Sequence, residues 1–254
     1  MNGLLEVARE GRVLRLYLNR PEKRNALNAE LCRILVDTLE EADRDPSVGA
    51  ILLAGNGKTF CAGMDLSEVG MSDSAELAEA HERLFTIGAR LGKPLVASVH
   101  GAAVGGGTGL AANCHIVIAA EEATFGLTEI RLGLWPFLIY RAVATAIGER
   151  RTMELALTGR TFRGREAADL GIAHEVAVDC EARALMVAES VAAFSPTAIR
   201  SGLRYVQESR GVDSASAGAV AQKIRNEVFA SADFQEGIKA FREKRSPSWP
   251  SLKQ

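Results

Sequence analysis

The triple glycine Gly105-Gly106-Gly107 and the segment Phe60-Cys61-Ala62-Gly63-Met64-Asp65-Leu66 are suited to chemistry done by the main chain alone. Glycine lets the backbone approach a ligand closely, and a glycine-rich turn that opens a helix aims free N–H groups at it. Two such donors in a dry site would stabilise negative charge developing on a carbonyl oxygen. The same triple glycine would equally serve tight packing of a helix on a strand. Other signals fail on spacing. Gly105-Gly106-Gly107-Thr108-Gly109-Leu110 ends on leucine where a dinucleotide fingerprint needs its last glycine, and a phosphate loop ending in Gly57-Lys58-Thr59 would need its first glycine at Leu52. His81-Glu82 is followed by Phe85 in place of a second zinc-binding histidine, and no G-x-S-x-G elbow occurs. Cys32, Cys61, Cys114 and Cys180 form no C-x-x-C, so neither a disulfide framework nor a metal site is expected.

Strands and helices must hold these segments in register. Residues 4–9 and 13–19 alternate apolar and polar side chains around Glu10-Gly11, the pattern of a hairpin at a sheet edge. Asn28 is placed to cap a helix whose Leu31, Ile34, Leu35, Leu39 and Ala42 share one face, ending before Asp45-Pro46. Strands are predicted over residues 50–54, 95–99 and 115–119, with a helix over 74–91 and a short one over 108–112. From residue 137 onward the pattern is mainly helical, with helices predicted over 137–146, 150–158, 164–170, 181–194, 196–208 and 215–230. No Gly/Ser/Pro-rich linker separates the two parts. The expectation is an α/β core over residues 1–194 and a helical region over 195–254 that packs on another subunit.

With 254 residues, 47% of them apolar, the chain can bury one large core. A net charge of −2 argues against a polyanion-binding surface, so nucleic acid is not expected as a partner. The N-terminus has no basic flank followed by a long apolar stretch, and no apolar run reaches membrane-spanning length. A cytoplasmic protein without a membrane partner is expected.

Three segments stand in a telling order: Asn19-Arg20-Pro21-Glu22-Lys23-Arg24-Asn25-Ala26-Leu27, then residues 60–66, then His100-Gly101-Ala102-Ala103-Val104-Gly105-Gly106-Gly107. Their types and spacing resemble the crotonase superfamily, the enoyl-CoA hydratase/isomerase family. The resemblance continues through Leu157-Thr158-Gly159-Arg160, Ala167-Ala168-Asp169-Leu170-Gly171 and Phe241-Arg242-Glu243-Lys244-Arg245. It implies a crotonase-like spiral of ββα units with a helical C-terminal oligomerisation region, assembled as a homotrimer or a dimer of trimers. An acyl-CoA thioester would be the substrate, with coenzyme A entering as part of it and no tightly bound cofactor. The oxyanion donors would be the N–H groups of Met64 and Gly106. Lys23 and Arg24 would line the nucleotide end of coenzyme A, with Ala26 and Leu27 packed alongside. Ala62, Asp65 and Leu66 would follow the cofactor from the other side, chiefly through main-chain groups. Phe241 and Lys244 would reach the nucleotide, in some relatives from a neighbouring subunit.

Phe125-Gly126-Leu127-Thr128-Glu129-Ile130 matches the segment carrying a family glutamate, which makes Glu129 the general acid and base by resemblance. Without that match it would be read as a surface carboxylate beside Arg131. The family's hydratases carry a further glutamate just after the triple glycine, where this chain has Gly109. Water addition is work that paired carboxylates share, whereas moving a double bond from the 3,4 to the 2,3 position needs one base. This favours Δ3-Δ2 enoyl-CoA isomerisation, with enoyl-CoA hydration as the alternative if Asp73 or Glu76 supplies a second acid. Acyl-CoA hydrolysis or decarboxylation, or acyl-CoA or RNA binding without catalysis, are further alternatives. Trp135 and Phe137 either reshape the acyl pocket or anchor the first C-terminal helix in the core. His115 is expected to be structural.

Overall fold

The computed structural model describes residues 3–68 and 74–253. The chain opens with β1 (Leu5–Glu10) and β2 (Val13–Leu18), an antiparallel pair joined at Gly11. Next comes α1 (Ala29–Arg44), which begins where the Asn28 side chain accepts the Leu31 N–H at 3.1 Å and buries Leu31, Cys32, Leu35, Val36, Leu39 and Ala42. Ile34, expected on the same stripe, is only half-buried at its edge.

The chain continues through β3 (Ala50–Gly55), α2 (Ser74–Ile87), β4 (Leu95–Val99), β5 (Ala102–Val104), α3 (Gly106–Ala112), β6 (Ile116–Ala119) and β7 (Thr124–Gly126). Then follow α4 (Phe137–Ile147), α5 (Glu149–Thr158), β8 (Thr161–Arg163), α6 (Gly164–Leu170), β9 (Glu175–Val176) and α7 (Cys180–Ala192). Three helices end the described chain: α8 (Pro196–Glu208), α9 (Ser214–Phe229) and α10 (Ala232–Glu243). The main sheet has the order β1-β2-β3-β4-β6-β9, parallel throughout except for the β1 edge. Both faces of β3 and β4 are buried, as an interior parallel strand requires.

A second sheet, β5-β7-β8, was not legible in the sequence, because three-residue strands carry too little alternation to register. α2 stops at Ile87 and tightens into a 3-10 turn over Gly88–Arg90, short of the expected residue 91. α10 was also not anticipated as an element; it starts where the Ser231 hydroxyl accepts the Phe234 N–H.

The C-terminal helices lie lightly on the core. α8 buries no residue on its own chain and α9 buries only Ile224. Polar ties hold the region: Ser195 donates its hydroxyl to Asp233 at 2.5 Å, and the Trp249 indole N–H donates to the Ala193 carbonyl at 2.8 Å. Among the described residues no helix is long and apolar enough to cross a membrane.

Candidate active site

The two glycine-containing segments meet at the carboxyl ends of the strands, where open α/β sheets offer a crevice. Met64 sits between two backbone ties to residue 27: Leu27 N–H donates to the Gly63 carbonyl at 2.8 Å, and Asp65 N–H donates to the Leu27 carbonyl at 2.9 Å. On its other flank the segment pairs with β5, through Cys61 N–H to the Ala102 carbonyl at 3.0 Å and Val104 N–H to the Cys61 carbonyl at 3.2 Å. Among the described residues neither the Met64 nor the Gly106 N–H has a hydrogen-bond acceptor, so both remain free for a ligand.

Close packing requires the triple glycine. A Cβ at Gly107 would stand 2.1 Å from the Cys61 carbonyl oxygen, and one at Gly106 would meet Phe85 at 3.2 Å and the Gly63 Cα at 3.3 Å. The packing reading therefore holds, and the same glycines permit the approach that brings residues 64 and 106 to one wall. Thr108, wholly buried, bonds the Ala103 carbonyl at 2.6 Å and accepts the Gly126 N–H at 3.0 Å, fastening α3 to β5 and β7.

β7 delivers Glu129 three residues after its end, as the first residue of a 3-10 turn over Glu129–Leu132. Its carboxylate lies over Gly105, where a Cβ would be 3.1 Å from Oε1. Gly105 has φ 55°, a left-handed conformation that glycine adopts without strain. Oε2 of Glu129 is buried without a hydrogen-bond partner, and no ion pair to Arg131 forms. Burial pushes the Glu129 carboxyl above the ordinary carboxylate range, its own backbone N–H opposing only in part.

Met64, Gly106 and Glu129 line one cavity of about 240 Å³. Its remaining walls are mostly apolar, and the sequence had not singled out Phe85 and Leu132 for it. Their signal was weak, since apolar side chains on helices read as core. Trp135 and Phe137 both line the cavity; Phe137 is 71% exposed at its mouth, which rules out a core anchor. His81 lines it too, its Nε2 lying 3.3 Å from the Leu27 carbonyl, and burial lowers its pKa. Gly109 lies behind the wall: a Cβ there would stand 2.3 Å from Cγ2 and 2.4 Å from Cβ of Ile139.

The other residues singled out divide by position. Ala62 and Leu66 line the cavity, and Leu27 closes the core beneath it. Lys23 and Arg24 are exposed on the turn after Pro21, tied to the site by Ala62 N–H donating to the Arg24 carbonyl at 3.0 Å; Ala26 follows, half-buried. Asp65 is committed elsewhere. Its N–H serves Leu27, and its buried carboxylate accepts from Arg20 at 2.9 Å and from the Ser67 hydroxyl at 2.6 Å. Burial alone would raise that carboxyl; the Ser67 and Arg20 bonds hold it below its usual range. Phe241 and Lys244 are exposed at the end of α10 and lie outside the cavity wall of this chain.

Of the two candidate substitute acids, Asp73 lies outside the described residues, and Glu76 is turned to the surface, 3.3 Å from Arg33. His115 is structural, its Nδ1 accepting the Leu95 N–H at 2.9 Å. All four cysteines are free and buried, and among the described residues no cluster of His, Cys, Asp or Glu could hold a metal ion.

The enoyl-CoA hydratase/isomerase family profile matches residues 8–252. An enoyl-CoA hydratase of Mycobacterium tuberculosis is 34% identical over 256 residues, covering 96% of this chain and 95% of that one. A 2,3-dehydroadipyl-CoA hydratase of Escherichia coli is 35% identical over 249 residues, covering 96% and 98%. Among solved structures, an enoyl-CoA hydratase of Mycobacterium smegmatis superposes with a TM-score of 0.92 at 30% identity, covering 97% of this chain and 98% of that one.

Proposed function

Since the chain belongs to the enoyl-CoA hydratase/isomerase family, we propose that it acts on an unsaturated acyl-CoA, with Glu129 carrying the proton and Met64 and Gly106 holding the thioester oxygen. The two free N–H groups in one cavity wall suit an oxygen that becomes negative only in the transition state. A carboxylate with raised pKa and an unpartnered oxygen suits a group that both takes and returns a proton near neutral pH.

The observation that carries the finer reading is that Glu129 is the one acidic side chain among the described cavity-lining residues. A single base can take a proton from C2 of a 3-enoyl thioester. The electron pair passes into the enolate, the double bond reforms between C2 and C3, and the same carboxylic acid returns the proton to C4. The apolar Ile139 against Gly109 supports this reading, since it leaves no polar group there to hold a water. We therefore favour Δ3-Δ2 double-bond isomerisation. Hydration of a 2-enoyl-CoA is the second reading, and the hydratase names of the relatives favour it.

In this reading Lys23 and Arg24 meet the phosphates of coenzyme A, and Ala62 and Leu66 flank its pantetheine arm. Phe241 and Lys244 would reach a nucleotide only across a subunit boundary, which fits a homotrimer or a dimer of trimers in the cytoplasm.

One assay separates the readings. The purified protein is given 3-hexenoyl-CoA and, separately, crotonyl-CoA, while the absorbance of the conjugated thioester is followed. A rise with the first supports isomerisation, a fall with the second supports hydration, and silence with both overturns the catalytic reading.

A further inference from the structure

At the opposite end of the main sheet from the cleft, the turns entering β2, β3 and β4 bring Arg12, Gly49 and Lys93 to one notch. The end of α7 and the start of α8 close over it with Ala192, Phe194 and Arg200. The notch has a volume of about 30 Å³, roughly two water-sized positions.

Arg12 is anomalous. Among the described residues its guanidinium forms no hydrogen bond and no ion pair, and its Nε is wholly buried. That nitrogen rests on the backbone, 2.9 Å from where a Cβ of Gly49 would be. Lys93 is 8% exposed and fixed in place, donating to the Ala42 carbonyl at 2.6 Å and to the Asp45 carbonyl. Arg200 spends one nitrogen on the Asp43 carbonyl at 3.0 Å. The acids nearby are occupied: the Asp43 carboxylate accepts the Gly92 N–H at 2.8 Å, and Asp45 accepts from Ser47 and lies 3.7 Å from Arg9. Three cationic residues thus line one small notch beside apolar Val48, Phe194, Pro196 and Ile199, and among the described residues no carboxylate forms an ion pair with Arg12 or Arg200.

A half-buried guanidinium without a counter-charge costs free energy that a bound anion would recover. The planar fork of arginine matches two oxygens of one oxyanion. We propose that this notch binds a small free oxyanion of the inorganic phosphate class, seated on Arg12 and Arg200 with Lys93 behind it. Bound there, the anion ties the strand-entry turns of the core to α8. The site is remote from the acyl-CoA cleft and does not depend on the catalytic reading.

The test uses the full chain and inorganic phosphate. Thermal unfolding is followed as phosphate replaces chloride at constant ionic strength, and stoichiometry is measured by calorimetric titration. The expected result is one phosphate per chain and a Tm rise of about 2–4 °C. Arg12→Met should abolish the response, and Arg200→Ala should weaken binding about tenfold. A Lys23→Ala/Arg24→Ala variant should keep the response, separating this notch from phosphate taken up in the cleft. No rise beyond that in chloride overturns the proposal, and so does an equal rise in Arg12→Met, which would mark a general salt effect. Should Arg12→Met not fold, the exposed Arg200→Ala carries the same test: undiminished phosphate binding in that variant overturns the proposal.

Discussion

The carboxylate of Glu129 rests on the bare Cα of Gly105, so closely that a methyl group there would come within 3.1 Å of Oε1. The residue before the candidate donor Gly106 therefore also sets the position of the candidate base. Gly105→Ala should displace the carboxylate and strain a backbone with φ 55°. We expect kcat to fall about a hundredfold and stability to drop by about 1–2 kcal/mol, measured by steady-state kinetics and urea unfolding. Wild-type turnover in a folded Gly105→Ala protein would show that the contact has no bearing on catalysis.

Glu129→Gln separates activity from stability. Turnover should vanish while coenzyme A binding persists. Stability should rise by about 1 kcal/mol at neutral pH, because the buried oxygen without a partner no longer carries charge. A Tm equal to or below that of the wild type would contradict this account of the carboxylate.

The same group sets a pH dependence of definite sign. Burial raises the Glu129 pKa in the folded state, so above the ordinary carboxylate pKa the native protein binds more protons than the unfolded chain. The contribution of Glu129 to stability must then fall as pH rises from the ordinary carboxylate pKa through the raised one, and level off beyond it. The Tm advantage of Glu129→Gln should widen across that window. In the wild type the acidic limb of kcat/KM should lie above the ordinary carboxylate pKa, as a base that must be ionised requires. A limb at the ordinary carboxylate pKa would show that the group is not desolvated.

The wall behind the cavity yields a steric prediction. Gly109→Glu should destabilise the fold by about 3 kcal/mol, because Ile139 occupies the space its Cβ needs. Ile139→Ala should relieve little of this, since the Ile139 Cβ is itself 2.4 Å from that point, whereas Ile139→Gly should relieve most of it. Urea midpoints of the four proteins decide the matter, and an unchanged midpoint for Gly109→Glu alone would refute the packing.

Beneath the Met64 segment lies a buried ion pair. Arg20→Met should cost about 3–5 kcal/mol by leaving the Asp65 carboxylate uncompensated, and the Arg20→Met/Asp65→Asn double variant should regain part of the loss. Additive losses in the double-variant cycle would show that the pair is not coupled.

How far the sequence could be read follows from the range of each signal. The β1–β2 hairpin, the α1 stripe, and the limits of α6 and α8 were legible because alternation, the Asn28 cap and the helix-opening Pro196 act within a few residues. Met64, Gly106 and Glu129 were found through a family motif, and one cavity gathers them. The Asp65 partner, Arg20, was not legible: nothing local links side chains 45 residues apart. Phe85 and Leu132 escaped for a related reason, since an apolar residue in a helix or turn looks the same whether it faces the core or a cavity, and this is also why Phe137 stood open between pocket and core.

Met64 is pinned by peptide groups on both flanks, with Leu27 on one and the β5 strand beside Cys61 on the other, and none of these ties passes through its thioether. The amide is thus fixed by the chain path while the side chain stays open to replacement. Exchange of that residue can reshape what enters the cleft and leave the path of the candidate donor untouched, so the position can vary its side chain without moving its peptide group.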